Sequence, residues 1–368
     1  MNTLKFFLPT ILATIFLIGC NNQNQTIKFR STLDLTGPNS PFGNQVKDGL
    51  TLAVEQLNKQ GGINGKLIDI EVLDSRSDAK LAVNNVQKFI NIDGCKFIIG
   101  ELASSATLAL IPVIEQGNVM LFSPASSGQK LANISPNFAR NWPSNDAEAT
   151  AAAIFAFDTM HYKAPYTFAS NNDYGLGLQS KFENVFKSKG GTIKASEKFE
   201  VNTTDFSAAI LKIKLAKPDC IFLSGGAKDM GVFTKQLGDF GLRIPIISNS
   251  SFTQPECFNT AGKYAEGVVM ATPYYNPNSN DSTISSFYKL FKEKYKKDPS
   301  MSEANGFDAI MLIAKAIKEN GEDPIKVITY IRNFKNYKGV GGILNFNNGE
   351  VERLISYKII KNGNAIWR

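Results

Sequence analysis

The chain has one histidine, His161, so any serine–histidine–acid arrangement must use it or be absent. It lies in the polar connection DTMHYKAP ahead of an apolar run, the setting of a solvated loop histidine rather than of a general base. No GxSxG elbow is present. The stretch Gly61-Gly62-Ile63-Asn64-Gly65-Lys66 is one residue short of a phosphate loop and runs on into Leu67; Gly175-Leu176-Gly177 lacks the third glycine of a dinucleotide fingerprint. Neither clustered cysteine and histidine for zinc nor an alternating acidic loop for calcium occurs. The pattern argues against an enzyme and against a resident metal or cofactor, although carboxylates paired only by the fold stay open.

What is present suits binding. Ser104, Ser105 and Thr107 stand where a helix should begin, and free backbone amides with hydroxyls there can hold a carboxylate. The same residues would also serve as helix caps. Residues 123–128, SPASSG, follow an apolar run and offer hydroxyls and backbone groups at the same sheet edge. Phe42 and Tyr174 add aromatic walls. Together they predict a cleft for a small molecule that has a carboxylate and an apolar part.

The elements that must position these residues read as strand, loop, helix, stop. Leu33 and Leu35 close an apolar run, Gly37 to Pro41 form a turn cluster, and Val46, Leu50, Ala53, Val54 and Leu57 recur at helical spacing until Gly61 and Gly62. Strands and helices alternate onward: strands over 67–73, 96–100 and 119–122, helices over 78–90 and 104–116. This is the grammar of a doubly wound parallel sheet, in which ligands collect at the carboxyl ends of strands. From Tyr166 the theme recurs, with the strand YTFA, a polar loop, Tyr174-Gly175 and a helix closed by Gly190-Gly191. Strands over 220–224 and 244–248 and a helix over 229–240 follow. Breaks at Trp142-Pro143, around Pro273 and near 340–346 read as crossings between lobes. The fold class is therefore α/β, with lobe 1 over 27–142 plus 273–342 and lobe 2 over 143–272 plus 343–368.

Residues 1–19 stand apart as a leader with a charged start and a short apolar run. The run ends Leu17-Ile18-Gly19-Cys20, which resembles the lipobox of bacterial lipoproteins; Cys20 would carry the lipid, hold the chain on a membrane and place it outside the cytoplasm, with 20–26 as a tether. Apolar residues make up 43% and charged residues 20%, a globular composition. The net charge of +7 comes from scattered lysines with no dense basic tract, so nucleic acid is not expected as a partner. Cys95, Cys220 and Cys257 are far apart and read as buried thiols, with a disulfide among them left open.

Residues 27–362 resemble the periplasmic leucine/isoleucine/valine-binding proteins, the solute receptors of branched-chain amino-acid ABC transporters. The resemblance is carried by LTGPNSPFGNQVKDGLTLAVEQLNKQGGINGK, GELASSATLALIPV, FSPASSG, NNDYGLGLQ, TTDFSAAILKIK, SGGAKDMG, AEGVVMATPY and GFDAIMLIAKAI. It implies two lobes joined by three crossings that close on a ligand by a hinge, and delivery of that ligand to a membrane permease. A sensory module presenting ligand to a signalling partner is the alternative. Residue by residue, it places the carboxylate-binding serine at Ser104, the groups meeting carboxylate and amine at Ala125, Ser126 and Ser127, the side-chain pocket aromatic at Phe42 and the closing tyrosine at Tyr174. Two places depart from the pattern. Ser250, beside Asn249, stands where an acid would meet the ligand ammonium, and Ala227, beside Lys228, stands where an aromatic is common. Either Asp173 or another acid compensates, or the ligand lacks an α-amino group.

Overall fold

The computed structural model describes residues 26–37 and 39–368. The leader, Cys20 and the tether as far as residue 25 lie outside the described residues. The chain opens with β1 (Thr26–Leu33), α1 (Ser40–Lys59), β2 (Leu67–Asp74), α2 (Ala79–Asn91), β3 (Phe97–Ile99), α3 (Ser104–Gln116), β4 (Met120–Ser123) and β5 (Phe138–Arg140). Five parallel strands form one sheet in the order β2-β1-β3-β4-β5. Both faces are covered, so the central strands β3 and β4, FII and MLFS, are buried and almost wholly apolar, whereas β1 and the edge strand β2 carry charged residues. Phe97, Ile99, Met120 and Phe122 enter the core beneath α1, whereas the intervening Ile98 and Leu121 enter the core beneath α2 and α3.

The next run repeats the plan with α4 (Asn145–Ile154), β6 (Tyr166–Ser170), α5 (Asp173–Ser188), β7 (Ala195–Phe199), α6 (Ser207–Ala216), β8 (Ile221–Ser224), α7 (Ala227–Asp239), β9 (Ile246–Ser248), α8 (Pro255–Ala261) and β10 (Val269–Pro273). The parallel order is β7-β6-β8-β9-β10. Each sheet therefore reverses direction beside its first strand, between β1 and β3 and between β6 and β8, where a doubly wound fold opens a crevice.

The chain then returns to the first sheet with α9 (Ser282–Tyr295), α10 (Met301–Asn320), α11 (Pro324–Arg332), β11 (Tyr337–Gly339), β12 (Gly342–Asn347) and β13 (Glu350–Glu352). It ends on the second with β14 (Ile355–Lys361) and β15 (Asn364–Trp367), antiparallel beyond β10. Helices α1 and α10 meet at two glycines: a Cβ on Gly49 would lie 2.0 Å from the Glu303 carbonyl oxygen, and one on Gly306 would lie 2.3 Å from that of Val46. Backbone meets backbone there, so only glycine fits.

The chain thus passes between sheets three times, but not everywhere the sequence placed it. The second passage leaves from the end of strand β10, at Pro273, although the residues before it, read as part of the crossing, pair with β9 and β14. The third passage falls between Glu352 and Ile355, not at 342/343, because Leu344, Phe346 and Val351 bury in the first core. Cys95, Cys220 and Cys257 are buried free thiols.

Candidate functional site

The carboxyl ends of the two sheets face each other across a cavity of about 380 Å³. The loops after β1, β2, β3 and β4 supply Asn39 and Phe42, Arg76 to Asp78, Leu102 to Ser105, and Ala125 with Ser127; those after β6, β7, β8 and β9 supply Asn172 with Tyr174, Val201 with Asn202, Gly226 with Asp229, and Ser250 with Ser251. Trp142, on the passage after β5, also lines it.

On the first sheet's side the cavity meets the N-terminus of α3. Ala103 precedes the helix without a side-chain cap, and no acid occupies the first turn. The amides of this turn are therefore free to meet an anion, and the helix dipole favours one. Ser104 Oγ accepts from Gly128 N at 2.9 Å, so its own proton remains to be donated. Ser105 is exposed beside it. The SPASSG loop is held from below: Ser123 Oγ donates to the Glu101 carbonyl at 2.6 Å and accepts from Ser126 N at 2.9 Å. Ser126 Oγ also donates to the Glu101 carbonyl, at 2.7 Å, and is wholly buried.

Under this wall sits an acid with no exposure, Glu101. Thr32 Oγ1 donates to it at 3.2 Å and Leu102 N at 3.0 Å. Burial first, and then the negative Asp34 beside it, push its carboxyl well above the usual range. A neutral Glu101 can donate to Asp34, which also accepts from Ser75 Oγ at 2.7 Å and Asn39 Nδ2 at 2.8 Å.

The opposite wall is a hydrogen-bonded cluster. Asn249 Nδ2 donates to the Tyr174 hydroxyl at 2.6 Å, with Ser251 Oγ 3.3 Å away. Ser250 donates through its amide and its hydroxyl to Glu148, at 3.0 and 3.1 Å. Trp142 Nε1 donates to the same carboxylate at 3.2 Å. Burial raises Glu148, and burial together with the Glu148 charge raises Tyr174. Asp229, 3% exposed, accepts from Asn202 N at 3.1 Å; burial raises it while Lys228 opposes the shift.

The structure brings Phe42, Ser104, Ala125, Ser127, Tyr174 and Ser250 to the lining of one cavity, the first four on the first sheet's wall and the last two on the opposite wall. Ser126 lies behind the first sheet's wall, and Ala227 turns into the core beneath α7, leaving Gly226 on the surface. Asp173 is not the compensating acid: Lys130 engages it at 2.6 Å, and it does not line the cavity. His161 is exposed and away from the cavity. Sequence reasoning missed Arg76, Ser77, Trp142, Asn202, Asp229 and Glu148. For Asp229 the signal was its place just after a strand; Arg76 and Ser77 owe theirs to left-handed backbone, φ 56° and 58°, which their residue types do not announce. Among the described residues no cluster of three or more histidine, cysteine or acidic side chains could hold a metal.

Comparison with known proteins places the chain. The family model described as periplasmic binding protein matches residues 26–355. A Leu/Ile/Val-binding protein homolog 1 of Brucella abortus (strain 2308) is 27% identical over 332 residues, covering 89% of this chain and 88% of that one. Among solved structures, the leucine binding protein LivK of Thermotoga maritima MSB8 superposes with a TM-score of 0.88 at 28% identity, over 93% of this chain and 98% of that one. A solute binding protein of an ABC transporter from Rhodopseudomonas palustris BisB5, in complex with 3,4-dihydroxy benzoic acid, shares the fold with a TM-score of 0.82 at 22% identity, over 92% and 95%. With a matching family model over nearly all the described residues and two doubly wound sheets facing one cavity, the chain belongs to the periplasmic binding protein family.

Proposed function

We propose that this protein captures a small amino acid, of the branched-chain type or a close relative, between its two sheets and delivers it to the permease of an ABC transporter. In this reading Cys20 carries a lipid that holds the protein at the outer face of a membrane. The two sheets with their helices act as lobes that hinge about the three passages. Binding residues are Phe42, Ser104, Ala125, Ser127, Tyr174 and Ser250, with Ser126 and Ala227 supporting the walls from behind.

The observation that carries the reading is the polarity of the cavity. An uncapped helix N-terminus with donor hydroxyls stands on one side, and buried acids lie at or behind the other. Such a gap suits a zwitterion, carboxylate toward α3 and ammonium toward Ser250. The Brucella relative and the LivK structure carry names of the same ligand class. Phe42 and Trp142 on the wall favour a second reading, an aromatic carboxylate without an amine, as in the Rhodopseudomonas structure.

Thermal unfolding of the purified chain against amino acids, aliphatic and aromatic carboxylates and amides tests this. A ligand at a hundred times its Kd stabilises by about 2.7 kcal/mol, a readable shift in Tm. The account expects shifts with leucine, isoleucine or valine; shifts only with acids that lack an amine would establish the second reading instead.

A further inference from the structure

Glu148 lies behind the cavity wall, and its setting is unusual. It projects from α4, is 1% exposed, and shares the buried face of that helix with Asn145 and three alanines, Ala149, Ala152 and Ala153. Its carboxylate accepts from three donors, Ser250 N, Ser250 Oγ and Trp142 Nε1, all of them neutral. Among the described residues no lysine or arginine pairs with it. A buried carboxylate without a cation is costly, and hydrogen bonds from neutral groups offset only part of that cost. Two of the residues that donate to it, Ser250 and Trp142, line the cavity, and Tyr174 in the same wall feels its charge.

We propose that Glu148, acting through the Ser250 hydroxyl, is the counter-charge for an ammonium group in the cavity and thereby sets a preference for amino acids over the matching acids that lack the amine. The hydrogen-bond directions support this. Ser250 Oγ gives its proton to Glu148 at 3.1 Å, so the oxygen's lone pairs are left to accept from a donor in the cavity. A carboxylate one hydroxyl behind makes that oxygen a stronger acceptor. Asp229 is the rival acid, but its carboxylate is engaged by Asn202 N and its charge is partly balanced by Lys228. Glu148 does not line the cavity, so it is a positioning residue. The inference rests on the amino-acid reading above.

Calorimetric titration of the full chain and of Glu148→Gln tests it with paired probes: L-leucine with isocaproate, L-valine with isovalerate, and L-phenylalanine with hydrocinnamate. The wild type should prefer the amino acid of a pair, and Glu148→Gln should erase roughly 10- to 100-fold of that preference, the range for a hydrogen bond to a charged group, while leaving the desamino acid nearly unchanged. An equal loss for both members would mean a purely structural role and overturn the proposal, as would an unchanged preference. Should Glu148→Gln fail to fold, Ser250→Ala decides, since it keeps the amide bond to Glu148 but removes the hydroxyl; a preference as large as in the wild type would then reject the idea. A wild type that binds only desamino acids would remove the amino-acid reading itself, and this inference with it.

Discussion

Among the buried acids around the cavity, Glu101 carries the consequence for protonation. Burial holds the Glu101 carboxyl far above its value in the unfolded chain, so the folded state favours the proton. Stability from this source is fully present at pH below the unfolded value and is lost as pH rises through the folded one. Glu101→Gln, which imitates the neutral acid, should therefore unfold at a less pH-sensitive temperature above the usual carboxylate range than the wild type, whereas Glu101→Ala should lower Tm at every pH. Scanning calorimetry from acid to alkaline pH reads both. On the same wall, Ser104→Ala removes a cavity-lining hydroxyl whose proton is left to be donated and leaves Gly128 N without its partner. Affinity for a carboxylate ligand should fall by about 1–3 kcal/mol, measured by titration, and an unchanged affinity would remove Ser104 from the site.

At the scale of elements, most of what holds these residues was legible. The apolar spacing of Val46, Leu50 and Leu57 announced α1, and the helix read over 78–90 is α2, which Asp78 caps by accepting from Leu81 N at 2.8 Å. The alternation of strand and helix announced both sheets. Less legible were short or polar elements: β5 has only three residues, Phe138–Arg140, and β7 is a sheet-edge strand with three polar residues in a row, ASEKF. The site divides the same way. Ser104 and Tyr174 sit at predictable loop–helix junctions, but Glu148 reaches Ser250 across 102 positions of sequence, and no local pattern encodes that meeting. Helix packing yields its own test. Gly306→Ala would drive a methyl group into the Val46 carbonyl, and overpacking of this kind costs about 1–3 kcal/mol or more. Tm should fall by several degrees, and an unshifted Tm would mean that α1 and α10 are not so close.

For the whole molecule, the question is what keeps the cleft shut. Contacts across its mouth are polar: Lys130 with Asp173 at 2.6 Å, and Gln45 Nε2 donating to Gln254 Oε1 at 3.2 Å. Lys130 is 73% exposed, so this ion pair contributes at most about 1 kcal/mol and is screened by salt. Lys130→Ala should weaken ligand binding by no more than about fivefold at low salt, with the difference fading as salt is added. Behind the cavity the passages are tied more firmly: Arg353 donates to the Gly341 and Asn141 carbonyls at 2.7 and 3.1 Å and to Asn305 Oδ1 at 2.8 Å. Weak contacts in front and firmer ones behind fit the proposed hinge motion by which the ligand would be released.

The most direct measurement is native mass spectrometry of the purified chain, before and after exposure to a mixture of amino acids and desamino acids. The account predicts a one-to-one complex whose added mass is that of an amino acid and which vanishes when the protein is unfolded. A complex only with acids lacking nitrogen, or none with any member of the mixture, would contradict it.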